Sequence, residues 1–221
     1  MFTGLIEATG SVVSLVPPGG AARLVVAAPA LAGRWRTGDS IAVNGVCLTA
    51  IPVDSPEHFA ADLAGETLAR TTLGSLIAGS VINLELPTPA GSPLGGHVVQ
   101  GHVDGTGHLE LLEPLHADLR TTDWRMTIEA PMELARHIIP QGSVTIDGIS
   151  LTVAKVHSSA PDGSIRFEIA VIPHTYAATN LRTLAPGSKV NIETDVLAKY
   201  AARQQVSREW LTVEYLIANG Y

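Results

Sequence analysis

The chain has 221 residues, 46% of them hydrophobic, enough to build a real core, so disorder is excluded as its main state. Fourteen Lys and Arg against 21 Asp and Glu give a formal net charge of −7, which leaves no broad cationic surface and argues against nucleic-acid binding. Cys47 is the single cysteine, the first positive charge is Arg23, and apolar runs such as Leu24–Leu31 stop far short of the ~18 residues of a membrane span; a soluble protein of a reduced, cytoplasmic compartment is expected.

Charged residues are only 16% of the chain, and its 21 Gly and 14 Pro are spread along it, the texture of short strands and many turns; the expected class is all-β. In chain order, the opening Thr3-Gly4-Leu5-Ile6-Glu7-Ala8-Thr9-Gly10 returns 97 residues later as Gln100-Gly101-His102-Val103-Asp104-Gly105-Thr106-Gly107. Pro29-Ala30-Leu31 corresponds to Pro131-Met132-Glu133, each opening a helical turn or two with Pro at a tolerated first position. Ser40–Thr49 returns without a gap, at an offset of 103, as Ser143–Thr152. Within it, β-branched residues flank Asn44-Gly45 and Asp147-Gly148, dipeptides suited to the positive φ angles of a tight hairpin, so each copy reads as strand, turn, strand. Gly79–Glu85 returns at an offset of 108 as Gly187–Glu193, and the growing offset places the extra residues in loops.

The chain therefore reads as a duplication. Residues 1–97 and 98–194 form two similar units, each a small closed barrel or sandwich, with Pro87–Leu94 as linker and 195–221 as an appendix. That appendix begins with Asp195–Tyr215, which lacks Pro and Gly and puts Val196, Leu197, Tyr200 and Ala201 on one face. A helix capped by Asp195 is predicted, and, having no counterpart in the first half, it suits an oligomer contact.

Among residues able to do chemistry, His97, His102 and His108 lie close in sequence. On a strand, however, His97 would face away from the other two, and no CxxC or HExxH accompanies them, so no metal site is expected. Phosphate loops of GxxxxGK type, GxGxxG turns and GxSxG elbows are absent, which argues against nucleotide hydrolysis, Rossmann dehydrogenation and serine-hydrolase chemistry. The informative positions are those where the copies differ. Cys47 stands opposite Ser150, each two residues before a threonine, and Leu5 stands opposite His102, an imidazole able to move a proton near neutral pH. Each also has a plain structural reading: Cys47 as a small buried hydrophobe, Ser150 as a cross-strand hydrogen-bonder, His102 as a packed turn residue, Asp195 as a helix cap.

Five segments, Met1–Glu7, Val43–Thr49, Glu66-Thr67-Leu68, Gly95–Val103 and Ile146–Val153, together resemble the alpha-type riboflavin synthase family, and the likeness runs from Met1 to about Tyr200. The resemblance implies two six-stranded Greek-key barrels plus a C-terminal helix, and a cofactor-free dismutation. Two molecules of 6,7-dimethyl-8-ribityllumazine exchange a four-carbon unit, giving riboflavin and 5-amino-6-(ribitylamino)uracil. It further implies a homotrimer in which the N-terminal barrel of one subunit meets the C-terminal barrel of a neighbour, each holding one lumazine, with lumazine synthase as a candidate partner.

Carried over by residue, the resemblance gives Ser40, Cys47, His102 and Asp195 as catalytic, with His102 first for proton transfer. It lines one pocket with Gly4, Leu5, Ile6, Cys47, Leu48, Thr49, Asp62, Leu63, Ala64, Gly65, Glu66 and Thr67. The other receives Gly101, His102, Val103, Ser150, Leu151, Thr152, Val171, Ile172, Pro173, His174, Thr175 and Tyr176. One position departs from the family: Gln141 replaces the lysine expected to reach a neighbour's ligand, and an amide there still hydrogen-bonds. Two rivals stand beside this reading. A non-catalytic antenna of the lumazine-protein type shares the fold; a flavin-reductase-like module needs a nicotinamide-binding domain, for which the 26 residues after Asp195 are too few.

Overall fold

The computed structural model describes residues 1–16, 22–157, 163–209 and 217. Among them, thirteen strands form two sheets, one from each repeat. The first contains β1 (Ala8–Val16), β2 (Ala22–Ala27), β3 (Ser40–Val43), β4 (Val46–Thr49), β5 (Ile51–Pro52), β6 (His58–Leu63) and β7 (Val81–Glu85), in the order β4-β3-β7-β1-β2-β6-β5. The second contains β8 (Gly105–Pro114), β9 (Trp124–Pro131), β10 (Ser143–Ile146), β11 (Ile149–Val156), β12 (Ser164–Val171) and β13 (Lys189–Thr194), closed as β10-β11-β12-β9-β8-β13.

The two orders are the same barrel with one difference. β11 pairs with β10 and β12, whereas its counterpart in the first repeat is broken at Ala50, so that β4 pairs with β3 and β5 with β6. The ends of the first sheet are thus two halves of one strand, and the barrel closes through buried Ala50. Ala50 N–H donates to Asp39 and its carbonyl accepts from Gly38, as Val153 does with Gly142 and Gln141. In β11 the same place carries a bulge between Val153 and Lys155, while in the first repeat Pro52, which has no N–H to give the ladder, keeps the resumed strand to two residues.

Strand alternation builds each core. Leu24, Phe59 and Leu84 are fully buried in the first barrel, and Met126, Phe167 and Ile192 in the second. Two partly buried residues break the division: Ile6 packs on the second core and Val103 on the first. Both Pro-led segments are short 3-10 turns, Pro29–Leu31 and Met132–His137. Two one-and-a-half-turn helices occupy equivalent places, α1 (Gly65–Arg70) and α2 (Pro173–Ala178).

The barrels meet at their hairpin tips. Asn44 and Gly45 have φ of 45° and 76°, Asp147 and Gly148 47° and 79°, the paired positive values expected of these dipeptides. The tips touch back to back, so that a Cβ on Gly45 would stand 2.6 Å from Gly148 N, and one on Gly148 2.7 Å from Gly45 N. Around this point the hydrogen bonds are exchanged symmetrically. Asn83 Nδ2 donates to the Asp147 carbonyl (3.0 Å) and Asn191 Nδ2 to the Asn44 carbonyl (2.9 Å), while Asn44 Oδ1 and Asp147 Oδ1 accept from Asn83 N and Asn191 N. The symmetry fails in charge: where the first copy has an amide, the second has the carboxyl of Asp147. It is wholly buried, and desolvation pushes its pKa up to about 6 despite hydrogen bonds from Asn191 and Asn180.

After β13 the predicted helix appears as α3 (Val196–Glu209), and residues 210–215 of that prediction lie outside the described residues. Asp195 Oδ1 accepts from Leu197 N (2.9 Å), the expected cap. Lys199 turns inward to pair with Asp104 at 2.7 Å, leaving Leu197 and Tyr200 exposed. Among the described residues, no helix is long and apolar enough to cross a membrane.

Candidate active site

The site is built by a crossing of the two lead segments, Phe2–Ile6 and Val99–Val103. Phe2 N donates to the Val99 carbonyl at 2.8 Å and Val99 N to the Phe2 carbonyl at 3.1 Å, so the segments pair antiparallel and each runs on to the other repeat's barrel. There the Gly4 carbonyl accepts from Ser150 N (2.8 Å) and the Gly101 carbonyl from Cys47 N (2.9 Å). Both glycines have φ near 76° (75° and 77°), and a Cβ on either would lie 2.6 Å from the Cβ of Ser150 or Cys47. Only glycine combines that backbone conformation with so close an approach.

A buried carboxylate holds each turn. Glu85, at the end of β7, accepts from Thr3 N (2.6 Å), Thr3 Oγ1 (2.8 Å) and Gly4 N (3.0 Å). Glu193, its counterpart on β13, accepts from Gln100 N (2.8 Å), Gly101 N (3.0 Å) and His102 N (3.1 Å). Burial raises the pKa of both, and the N–H donors oppose that shift.

Two pockets result. One, of about 230 Å³, is lined by Val46, Cys47, Glu66, Thr67, Arg70, Thr71, Gly101, His102 and Val103. Its relative, of about 260 Å³, is lined by Gly4, Leu5, Ile6, Ile149, Ser150, His174, Thr175, Ala178 and Thr179. This corrects the expected grouping: Gly4-Leu5-Ile6 lies with Ser150 and α2, and Gly101-His102-Val103 with Cys47 and α1. The repeat offsets reveal which segments are equivalent, but the pairing of Phe2 with Val99 decides the barrel on which each one docks.

Several expected lining residues are elsewhere. Leu48, Leu63, Leu151 and Val171 point into the cores. Thr49 and Thr152 are exposed on the strands, opposite Ser40 and Ser143. Asp62 lies on the exposed side of β6 in a two-bond pair with Arg23 (2.7 and 2.9 Å), whose hydrogen bonds hold its carboxyl below the usual range. Ala64 caps α1 and Gly65 begins it; Glu66, in the pocket, is bridged to Arg70. Ile172 caps α2 and is exposed, Pro173 begins it, and Tyr176 turns away to stack on Trp124, with ring centroids 3.7 Å apart and planes at 12°. Ser40 is half-buried at the start of β3, outside both pockets, and Gln141 is exposed in a loop with φ 64°. Among the residues expected to be catalytic, the structure brings Cys47 and His102 together, and it places Asp195 at the head of α3.

Two contributors, Glu85 and Glu193, are not singled out from the sequence, and a third, His97, is weighed there only as a metal ligand. Glu85 and Glu193 were visible only as a repeated acidic ending to an apolar strand. His97, 9% exposed, sets Nδ1 2.8 Å from Ser150 Oγ, beside the second pocket. Burial pushes its imidazole pKa down, with the charge of Asp195 acting the other way, and its Nε2 is buried without a hydrogen-bond partner among the described residues. At the repeat offset of 97 no residue stands opposite His97, so comparison of the copies carries no signal there. Among the described residues, no group of three His, Cys, Asp or Glu is arranged to hold a metal ion.

Residues 3–87 and 100–195 each match the family model described as the lumazine binding domain. A riboflavin synthase of Mycobacterium tuberculosis (strain ATCC 25618 / H37Rv) is 44% identical over 204 residues, 92% of this chain and 97% of that protein. The chain belongs to the lumazine-binding, riboflavin synthase family. A further relative, the riboflavin synthase of Actinobacillus pleuropneumoniae, is 42% identical over 90% of this chain and 87% of its own. The fold of the two lumazine-binding repeats is similar to the crystal structure of LumP complexed with 6,7-dimethyl-8-(1'-D-ribityl) lumazine. The TM-score is 0.73 at 22% identity, over 88% of this chain and 99% of that one.

Proposed function

We propose that the chain catalyses the riboflavin synthase reaction: two 6,7-dimethyl-8-ribityllumazine molecules exchange a four-carbon unit, yielding one riboflavin and one 5-amino-6-(ribitylamino)uracil. The observation that carries this reading is the pair of pockets, related by duplication and differing at the reactive positions. One reactant must lose a proton from its C7 methyl group while the other accepts a nucleophile, so two copies of one substrate need two similar but unequal beds. Cys47 and His102 furnish the first, Ser150 backed by His97 the second. Burial favours neutral His97, and in the tautomer protonated at Nε2 its Nδ1 accepts the Ser150 hydroxyl proton and orients the serine oxygen.

Both pockets are smaller than the ~300–1,000 Å³ usual for enclosed ligand sites, which suits sites completed by a second subunit. We therefore assign a homotrimer in which the first pocket of one chain faces the second pocket of the next, with exposed Leu197 and Tyr200 of α3 at the contact. Bringing two rings face to face in this way converts a bimolecular step into an effectively unimolecular one, worth up to ~7–11 kcal/mol. A cytoplasmic location, contact with lumazine synthase, and units at 1–97, 98–194 and 195–221 belong to the same proposal.

The test is direct. Purified protein supplied with the lumazine alone should form one riboflavin for every two lumazines consumed. Tight binding without turnover would replace this reading with the antenna alternative.

A further inference from the structure

The two buried carboxylates stand in the wrong barrels for the pockets they serve. Glu193 belongs to β13 of the second barrel, yet the turn it holds, Gln100-Gly101-His102, forms a wall of the first pocket beside Cys47. Glu85 belongs to β7 of the first barrel, yet the turn it holds, Thr3-Gly4, leads into the wall of the second pocket beside Ser150. Each carboxylate uses both oxygens. Glu193 Oε1 takes Gln100 N and Oε2 takes Gly101 N and His102 N; Glu85 Oε1 takes both Thr3 groups and Oε2 takes Gly4 N.

From this geometry we infer that Glu85 and Glu193 are positioning residues that act crosswise, each fixing the binding wall of the opposite barrel's pocket. The inference rests on the proposed function for what the pockets bind, though not for the crossing itself. An ionised or neutral carboxyl tolerates these donors to different degrees, but an amide tolerates them least, because one end of a glutamine side chain is itself a donor and must face an N–H. Replacing Glu193 by Gln therefore frees either Gln100 or the Gly101-His102 pair, and the His102 side chain loses its fixed starting point over the first pocket. The neighbours differ: Glu193 has Lys199 and Asp104 close by, whereas Glu85 has Glu7. Both glutamates nonetheless meet their turns through backbone N–H groups, so the crossing depends on chain geometry and not on those charges.

A thiol in each pocket reads the two sites separately. Cys47, the single cysteine, reports on the first pocket, and a Cys47→Ser/Ser150→Cys background moves the reporter to the second. The measurements are the alkylation rate with iodoacetamide, and protection by 6,7-dimethyl-8-ribityllumazine, in full-length protein. Glu193→Gln should change the alkylation rate at thiol 47 and weaken lumazine protection there by about tenfold, the size of one or two lost buried hydrogen bonds, while thiol 150 stays within about twofold. Glu85→Gln should do the reverse. Glu193→Asp and Glu85→Asp, which keep the acceptor but shorten its reach, should show the same crossed pattern more weakly and decide the matter if the Gln forms do not fold. A larger effect in the carboxylate's own barrel, equal effects at both thiols, or no effect at either would overturn the inference. If lumazine protects neither thiol in otherwise unaltered protein, the functional reading fails, and the ligand-free alkylation rates still decide the crossing.

Discussion

His97 Nδ1 and Ser150 Oγ are 2.8 Å apart, although 53 residues separate them and neither has an exact counterpart in the first repeat. Because burial lowers the imidazole pKa, the ring stays neutral to a lower pH than an ordinary histidine, and only the neutral ring accepts the serine proton at Nδ1. Turnover should therefore hold as pH falls through 6.5, the ordinary histidine value, and decline only below it. His97→Gln should reduce kcat and remove that acid limb, while lumazine affinity changes little. A kcat–pH profile of both proteins checks this; an unchanged limb in the variant would assign the titration to another group.

Cys47→Ser gives the first pocket the hydroxyl that Ser150 already gives the second, so it tests what the divergence supplied. Serine hydroxyls are hardly ionised near neutral pH, whereas thiols in general are to a few per cent. If the sulfur adds to the ring or holds the nucleophile, the variant should bind lumazine nearly normally and turn over about tenfold more slowly or worse. Rates normalised to titrated sites measure this. An unchanged rate would leave Cys47 its packing against Phe2, Ala42 and Val99.

Much of this arrangement was legible in the sequence, for local reasons. Asn44-Gly45 and Asp147-Gly148 fix their turns by backbone conformation alone, and Asp195 caps α3 through its own side chain, whereas Leu48 and Leu151, expected in the pockets, follow strand alternation into the cores and leave Cys47 and Ser150 at the pockets. What was not legible depends on contacts between distant segments. The crossing of Phe2–Ile6 with Val99–Val103 is a matter of which of two similar barrels a segment joins, and duplicated partners look nearly alike to a periodicity argument. Glu85 and Glu193 were hidden for the related reason that their partners are backbone N–H groups, which carry no residue signature.

Deleting the chain from Val196 onward removes α3 and with it exposed Leu197 and Tyr200, and also the Lys199 partner of Asp104. If α3 holds the proposed trimer together, sedimentation should show a shift toward smaller species, and turnover per chain should fall in parallel, as the proposed sharing of sites between subunits requires. Full activity from a monomer at assay concentration would exclude sites between subunits.

Asp147→Asn makes the second hairpin tip chemically like the first, and its effect should appear in how stability varies with pH. The folded-state pKa of Asp147 is pushed up to about 6 from the ordinary aspartate value of 3.8, so the folded state holds the proton more tightly than the unfolded chain. The stability this contributes is fully present below pH 3.8 and is lost as pH rises through about 6. At about 1.4 kcal/mol per pKa unit the span is on the order of 3 kcal/mol. The asparagine variant carries no such proton, so this component of the slope between pH 4 and 6.5 should disappear in thermal or urea unfolding. The height of its curve is set by a separate effect. Its Nδ2 must face Asn180 Nδ2, which now donates to Asp147 Oδ2 at 2.8 Å, and Asn180 Oδ1 is already taken by Asn83, so the variant loses a buried hydrogen bond at every pH. The expected result is therefore a curve flatter than that of the unaltered protein and displaced from it, with the difference between the two changing across pH 4 to 6.5. Parallel curves would show that Asp147 does not titrate in this range and that the barrel joint holds its charge throughout.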